Sequence, residues 1–254
     1  MSEIYQNDIL VFNKPLRWTS FDVVKKVRYM IRAKIGHAGT LDPLATGVLI
    51  ICTGKNTKRI DEFHLLEKEY TGIMQFGATT PSYDLETKVN ENFSFENISD
   101  EQIHAATKSF LGEFEQTTPK YSSVFAKGVR SYLLVREGKD FEPVKRNVQL
   151  FSFEITKINL PEVHFKIVCG KGFYIRSLVH DFAKLLGSGA HLKELCRTRI
   201  GDIKIEDAFT IESFATHIDE LKGRIYVQKN PSVINELKGF HNEADSLLLK
   251  KKND

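Results

Sequence analysis

The run from Gly36 to Gly47, Gly-His-Ala-Gly-Thr-Leu-Asp-Pro-Leu-Ala-Thr-Gly, constrains this chain more than any other stretch. Glycines at 36, 39 and 47 mark a backbone that bends tightly or meets another backbone closely. The single carboxylate of the run, Asp42, stands just before Pro43. A residue in that place is steered toward extended geometry, so Asp42 is held in one conformation and not carried on a flexible tip. After Gly47, Val48-Leu49-Ile50-Ile51-Cys52 is an uninterrupted apolar run that reads as a buried strand. A lone acid on a rigid loop beside a buried strand suits a nucleophile or a base. The alternative is an aspartate that caps its own loop backbone.

The chain has 254 residues, 41% of them hydrophobic and 27% charged, enough for a real core in one large domain or two small ones. A net charge of +3 does not by itself call for nucleic acid, so any RNA surface must come from local clustering of Lys and Arg. Phe is abundant, at 18 residues against one Trp, and predicts a Phe-rich core. Three cysteines, Cys52, Cys169 and Cys196, with no Cys-x-x-Cys, fit a reducing compartment and argue against a disulfide framework or a zinc knuckle. The first residues lack a signal-peptide pattern and no apolar run approaches membrane-spanning length, so a cytoplasmic protein without membrane contact is expected.

Along the chain, Ile9-Leu10-Val11-Phe12 reads as a strand. Thr19 or Ser20 then caps a helix whose apolar face is Phe21, Val24, Val27 and Ile31. Lys25, Lys26, Arg28 and Arg32 lie off that face. They form either a solvated surface or a phosphate-facing stripe leading toward the Asp42 loop. Thr53-Gly54-Lys55 invites a phosphate-loop reading, which fails because Leu49 and Asn56 stand where that motif needs glycine and Ser/Thr. Thr57 is expected to start a helix carrying Ile60 and Phe63. Residues 69–77 read as a strand with Tyr70, Met74 and Phe76 on one face. Ser99-Asp-Glu-Gln102 is a capping box opening a helix that closes at Gly112. Residues 148–169 alternate as a hairpin, Phe151, Phe153 and Ile155 facing one way, with a turn at Asn159-Leu-Pro161. A helix with Ile175, Leu178, Val179, Phe182 and Leu186 stops at Gly187. Ile200–Ala208 and Thr210–Phe214 read as a last strand and a short helix.

GHAGTLDPLATG resembles the signature loop of the TruB-type tRNA pseudouridine synthases, in which the aspartate is the essential catalytic residue. Further matches are separated along the chain. Lys14-Pro15 with Thr19-Ser20 is similar to a first motif that supports the catalytic loop. Lys68-Glu-Tyr70, followed by Gly77-Ala-Thr-Thr80, resembles the segment whose tyrosine lies against the target base. Lys171-Gly-Phe-Tyr-Ile-Arg176-Ser resembles the motif whose arginine pairs with the catalytic aspartate, and Gly189-Ala-His191 through Leu195 and Arg197 resembles a segment that shapes the base pocket. Two departures stand out. Ser82-Tyr83-Asp84-Leu85-Glu86-Thr87 keeps only the first acid of the usual loop, Asp84. Phe125 follows Ser122 where many members carry a lysine.

The resemblance runs over roughly residues 8–222. It implies an α+β fold, a mixed, largely antiparallel sheet flanked by helices, with a central active-site cleft. Residues 1–223 form the catalytic domain, and 224–254 a tail without the small β-rich RNA-binding domain that many members add there. It implies isomerisation of uridine at position 55 of the tRNA T-loop to pseudouridine, by a monomer with no obligatory protein partner. Asp42, Tyr70 and Arg176 are then catalytic. His37, Asp84, Tyr174, Leu195 and Arg197 bind the RNA, with His37 filling the space left by the flipped base. The chemistry suits these residues. Glycosidic bond cleavage builds positive charge on the sugar carbon, which a carboxylate stabilises or captures. An always-charged guanidinium keeps that carboxylate ionised and fixes its rotamer. Nothing in the reaction needs a cofactor or a metal. Two rivals remain at this level: an RNA-binding protein that kept the fold without activity, and a carboxylate-dependent hydrolase, which lacks the second carboxylate most glycosidases use.

Overall fold

The apolar run after Gly47 forms an inner strand of the main sheet. The computed structural model describes residues 5–122, 124–126, 128–139 and 141–229. Its strands are β1 (Ile9–Lys14), β2 (Ile35–Ala38), β3 (Ala45–Thr53), β4 (Lys68–Phe76), β7 (Gly112–Thr117), β10 (Lys145–Asn159), β11 (Glu162–Cys169), β12 (Ala190–Ile200) and β13 (Ile203–Lys204), with two short ribbons, β5 (Ala78–Thr79) with β6 (Glu91–Asn92) and β8 (Phe125–Ala126) with β9 (Val129–Arg130). The helices are α1 (Ser20–Ile31), α2 (Ile60–Leu65), α3 (Asp100–Ala106), α4 (Ser131–Arg136), α5 (Ile175–Leu185) and α6 (Ile211–Lys229). Among the described residues nine strands make one sheet in the order β1-β3-β12-β4-β11-β10-β7, with β2 added to β3 and β13 to β12. Every pairing in it is antiparallel except β3 with β12. The expected mixed, largely antiparallel α+β fold is therefore the observed one.

Buried apolar clusters hold the sheet. On one face α5 lays Leu178, Val179 and Phe182 against Met74, Phe76, Phe165 and Ile167. The Phe rings meet edge-on, as between Phe76 and Phe182 at 6.5 Å, the arrangement their quadrupoles favour. A second core packs Val24, Val27 and Ile31 of α1 and Phe214 and Ile218 of α6 over Phe12, Leu49 and Ile51. The parallel β3–β12 contact explains Gly47. Its φ is +107°, and a Cβ there would sit 2.2 Å from the Arg197 carbonyl oxygen, so no side chain fits.

Several local expectations are corrected. Thr19 is the N-cap of α1 and shares a capping box with Asp22, but Phe21 is 61% exposed; the buried stripe runs through Ser20, Val23, Val24, Val27 and Ile31 instead. The pairing of β10 with β11 slips between Leu150 and Ser152, and this bulge turns Phe151 outward while Leu150 and Phe153 stay buried. Residues 54–59 form a 3-10 turn ahead of α2, not a helix beginning at Thr57. The stretch after Gly112 is strand β7. The short helix expected at 210–214 is the long α6, which runs through the expected boundary at residue 223. Residues 230–254 of the expected tail, and the side chain of Phe125, lie outside the described residues.

Candidate active site

The loop between β2 and β3 is held on all sides by groups from distant parts of the chain. Ser20 Oγ accepts from Leu41 N at 2.9 Å and donates to Leu41 O at 3.2 Å. Lys14 is fully buried, and its Nζ donates to the carbonyls of Trp18 (2.5 Å), Pro15 (3.0 Å) and Pro43 (3.3 Å). Arg17 N also donates to Pro43 O, at 2.8 Å. From the other side, the guanidinium of Arg197 donates to Val48 O and Gly39 O, both at 2.8 Å. Burial lowers the Lys14 pKa to about 8, against the favourable charge of Asp42. The Lys-Pro and Thr-Ser pairs thus support the loop, as the first-motif resemblance suggested.

Asp42 comes out of this loop with its side chain 36% exposed, facing Arg176, which is 3% exposed. Arg176 is the second residue of α5. Its Nε donates to Asp42 Oδ2 at 2.9 Å and its Nη2 to Oδ1 at 3.1 Å, a two-pronged pair between residues 134 apart in sequence. The remaining donors go to Ser82 O and Tyr121 O, each at 3.0 Å. Among the described residues the Asp42 carboxylate receives its hydrogen bonds from Arg176, so the backbone-capping alternative does not hold. Burial disfavours the Arg176 charge, but Asp42 and then Asp84 outweigh it and its pKa lies above the ordinary arginine value.

Asp42, Tyr70, Tyr174, Arg176, Leu195 and Arg197 all line one cleft of about 620 Å³. Tyr70 is buried, which raises the pKa of its phenol, while the Arg197 charge pulls the other way. Tyr174 is the N-cap residue of α5 and likewise has a raised pKa from burial. Asp84 and His37 fall outside this lining, and Arg197 stands in it with its guanidinium already engaged. Asp84 is buried, accepts from Ser82 Oγ (2.6 Å) and Glu86 N (2.9 Å), and lies 3.7 Å from Arg176 Nε. Its carboxylate therefore braces the guanidinium from behind. Arg197 is 1% exposed with its guanidinium committed to backbone carbonyls, so it is a loop-holding residue at the cleft wall and not a free phosphate ligand. His37 sits on β2 opposite Ile51, outside the residues that line the cleft. Its Nδ1 is buried without a hydrogen-bond partner, and burial, followed by Arg197 and His64, lowers its pKa.

Sequence reasoning missed two groups here. Gln116 clamps the Tyr174 backbone, its Oε1 accepting from Tyr174 N at 2.8 Å and its Nε2 donating to Tyr174 O at 3.0 Å. The alternation Glu113-Phe114-Glu115-Gln116 was the available signal, since it places Gln116 on the inward side of a strand. Arg146 lines the same cleft, its guanidinium 5.8 Å from the centre of the Tyr174 ring and its Nε buried without a partner. Nothing local marks it among the basic residues of 139–146. Among the described residues no group of three or more His, Cys, Asp or Glu is placed to hold a metal ion.

Comparison with known proteins gives the family. The family model described as TruB family pseudouridylate synthase (N terminal domain) matches residues 26–175, and the tRNA pseudouridylate synthase B C-terminal domain matches 176–228. The second segment supplies β12, which lies between β3 and β4 of the first, so the two share one sheet. The chain is 46% identical over 238 residues to tRNA pseudouridine synthase B of Phocaeicola vulgatus, covering 91% of this chain and 98% of that protein. It is 48% identical over 220 residues to the protein of the same name from Flavobacterium johnsoniae, covering 84% and 96%. Among solved structures, a Cbf5-Nop10-Gar1 complex matches with a TM-score of 0.65 at 26% identity, over 91% of this chain and 59% of that one. The archaeal box H/ACA sRNP Nop10-Cbf5 complex matches with a TM-score of 0.64 at 26% identity, over 86% of this chain and 56% of that one. With both family models matched in sequence along most of its length, the chain belongs to the TruB family of pseudouridylate synthases, whose members isomerise uridine to pseudouridine in tRNA.

Proposed function

We propose that this isomerase acts on uridine 55 in the T-loop of tRNA, with Asp42 as the essential carboxylate. The observation that carries the assignment of roles is the Asp42–Arg176 pair at the wall of an aromatic-lined cleft. The C1′–N1 bond of the uridine breaks, the uracil turns within the cleft, C5 bonds to C1′, the C5 proton leaves and N1 takes one up, so atoms balance without a second substrate. Asp42 stabilises or captures the cationic sugar carbon, and Arg176 holds both of its oxygens in position. Tyr70 and Tyr174 bracket the base, with Leu195 on the apolar wall. Burial keeps the Tyr70 phenol protonated, which favours stacking over proton abstraction as its contribution. His37 fills the gap left when the base is flipped. Asp84 and Arg197 act indirectly, through Arg176 and the loop.

The catalytic unit, expected as residues 1–223, takes in the whole of α6 to Lys229 and works as a monomer without an obligatory protein partner. It acts in the cytoplasm, where its substrate is; no described helix is long and apolar enough to cross a membrane. Light scattering of the purified chain, with and without tRNA, tests the monomer. The test of the chemistry is Asp42→Asn, nearly isosteric but uncharged. Isomerisation of unmodified tRNA should fall by at least about 10³-fold with binding retained. Near-normal turnover would remove Asp42 from the mechanism, and activity on uridines other than 55 would overturn the specificity.

A further inference from the structure

We propose that the outer face of α1 is a second RNA-binding surface, which holds the backbone of the substrate RNA beyond the catalytic cleft. The inference rests on the reading of that cleft as the uridine site. With Val23, Val24, Val27 and Ile31 buried, α1 turns Lys25, Lys26 and Tyr29 outward, and the Tyr29 ring is 80% exposed. Arg17, Trp18, Asp22, Lys25, Lys26 and Tyr29 line a hollow of about 500 Å³. Asp22 is committed to the helix cap, accepting from Thr19 N at 2.9 Å and Thr19 Oγ1 at 2.6 Å. Among the described residues no carboxylate lies within salt-bridge distance of Arg17, Lys25 or Lys26. Cations set beside an open aromatic ring are the chemistry that holds phosphates and stacks bases.

This face meets the catalytic loop. A dent of only about 10 Å³, lined by Asp42, Leu44, Asp84, Lys193, Glu194 and Leu195, adjoins the catalytic carboxylate. The last three of these also line a groove of about 780 Å³ over the sheet, whose rim includes Arg17. Arg17 in turn lines the α1 hollow, and its backbone is tied to Pro43 O at 2.8 Å. Arg17 thus joins the α1 hollow to the loop that carries Asp42, and sets beside it three cations without a salt-bridge partner among the described residues. Charge complementarity and this junction select RNA over a protein or a membrane as the occupant.

The test is equilibrium binding of full-length unmodified tRNA, between 50 and 200 mM salt, by wild type and by the Lys25→Ala/Lys26→Ala double variant. Losing two phosphate contacts should make the slope of log affinity against log salt shallower by roughly 1.4–1.8, so the wild-type advantage shrinks about tenfold across that range. Tyr29→Ala should weaken binding on the order of tenfold with the slope kept. Lys222→Ala, on α6 and paired with Asp219 at 3.5 Å, should leave the slope alone. A double variant with the wild-type slope, or an equal change from Lys222→Ala, overturns the proposal. If wild type binds tRNA but converts no uridine, the functional reading falls while the slope still reports on α1.

Discussion

Arg176→Lys separates a charge requirement from a geometric one. The guanidinium makes four hydrogen bonds, two to Asp42 and one each to Ser82 O and Tyr121 O. A lysine keeps the positive charge near Asp42 and Asp84 but has one nitrogen, which cannot face all four acceptors at once. If two are lost, and bonds to charged groups contribute roughly 1.5–3 kcal/mol each, the fold loses about 3 kcal/mol or more. Asp42 also loses the fork that fixes its carboxylate plane, and a misplacement of about 1 Å at a reacting group costs on the order of 10²-fold in rate. The rate is read under single turnover as release of label from uridine tritiated at C5, because that hydrogen is replaced by C1′. Stability is read from urea unfolding as a lower midpoint with an unchanged slope. Turnover within about threefold of wild type would refute the claim that the bidentate geometry, and not charge alone, is needed.

The buried lysines give a pH prediction. Burial lowers Lys14 and Lys68 to about 8, and raises Cys169 to about 12. The unfolded chain keeps the two lysine protons up to its higher ordinary pKa, so it binds more protons than the native state above pH 8, and stability rises with pH there. Above about pH 8.5 the unfolded thiols of Cys169 and Cys52, both raised by burial in the fold, ionise ahead of the native ones, so two protons lost offset the two that the lysines keep. Urea unfolding should show stability climbing from pH 8 to 9 and then flattening; a fall across pH 8–9 would contradict it. His37→Ala should cost about fivefold in kcat/KM on folded tRNA if the gap-filling ring returns ~1 kcal/mol, and much less on a short RNA whose uridine is already unstacked; equal losses would place His37 in the chemistry or in the loop. Arg146→Met should raise KM roughly tenfold through a lost phosphate contact and lower stability only slightly, since its Nε has no hydrogen-bond partner to lose and the guanidinium's contact with the Tyr174 ring is worth about 1 kcal/mol; an unfolding midpoint that drops steeply while KM holds would assign it a structural role.

What the sequence determined by itself lies within short windows. The capping box at Ser99–Gln102 opens α3, the 69–77 alternation is β4, and the periodic face ending at Gly187 is α5. Each signal spans a few turns or residues, within reach of local backbone and side-chain chemistry. The glycine-rich loop and Arg176 were also legible, since motif spacing names residue types without needing their positions in space. Tertiary structure alone decided the strand order, which inserts β12 in parallel beside β3, and the fate of side chains whose partners lie far along the chain. Lys14 was legible as part of a loop-supporting motif but not its carbonyl partners, and Arg197, read as an RNA contact, is a second strut of the catalytic loop. Asp84 looks like a ligand and braces Arg176, and Gln116, 58 residues from Tyr174, clamps it unseen. The physical reason is the same in each case. A buried charge or amide is tolerable only where carbonyls, amides or an opposite charge await it, and those partners exist only after the distant segments have closed the sheet.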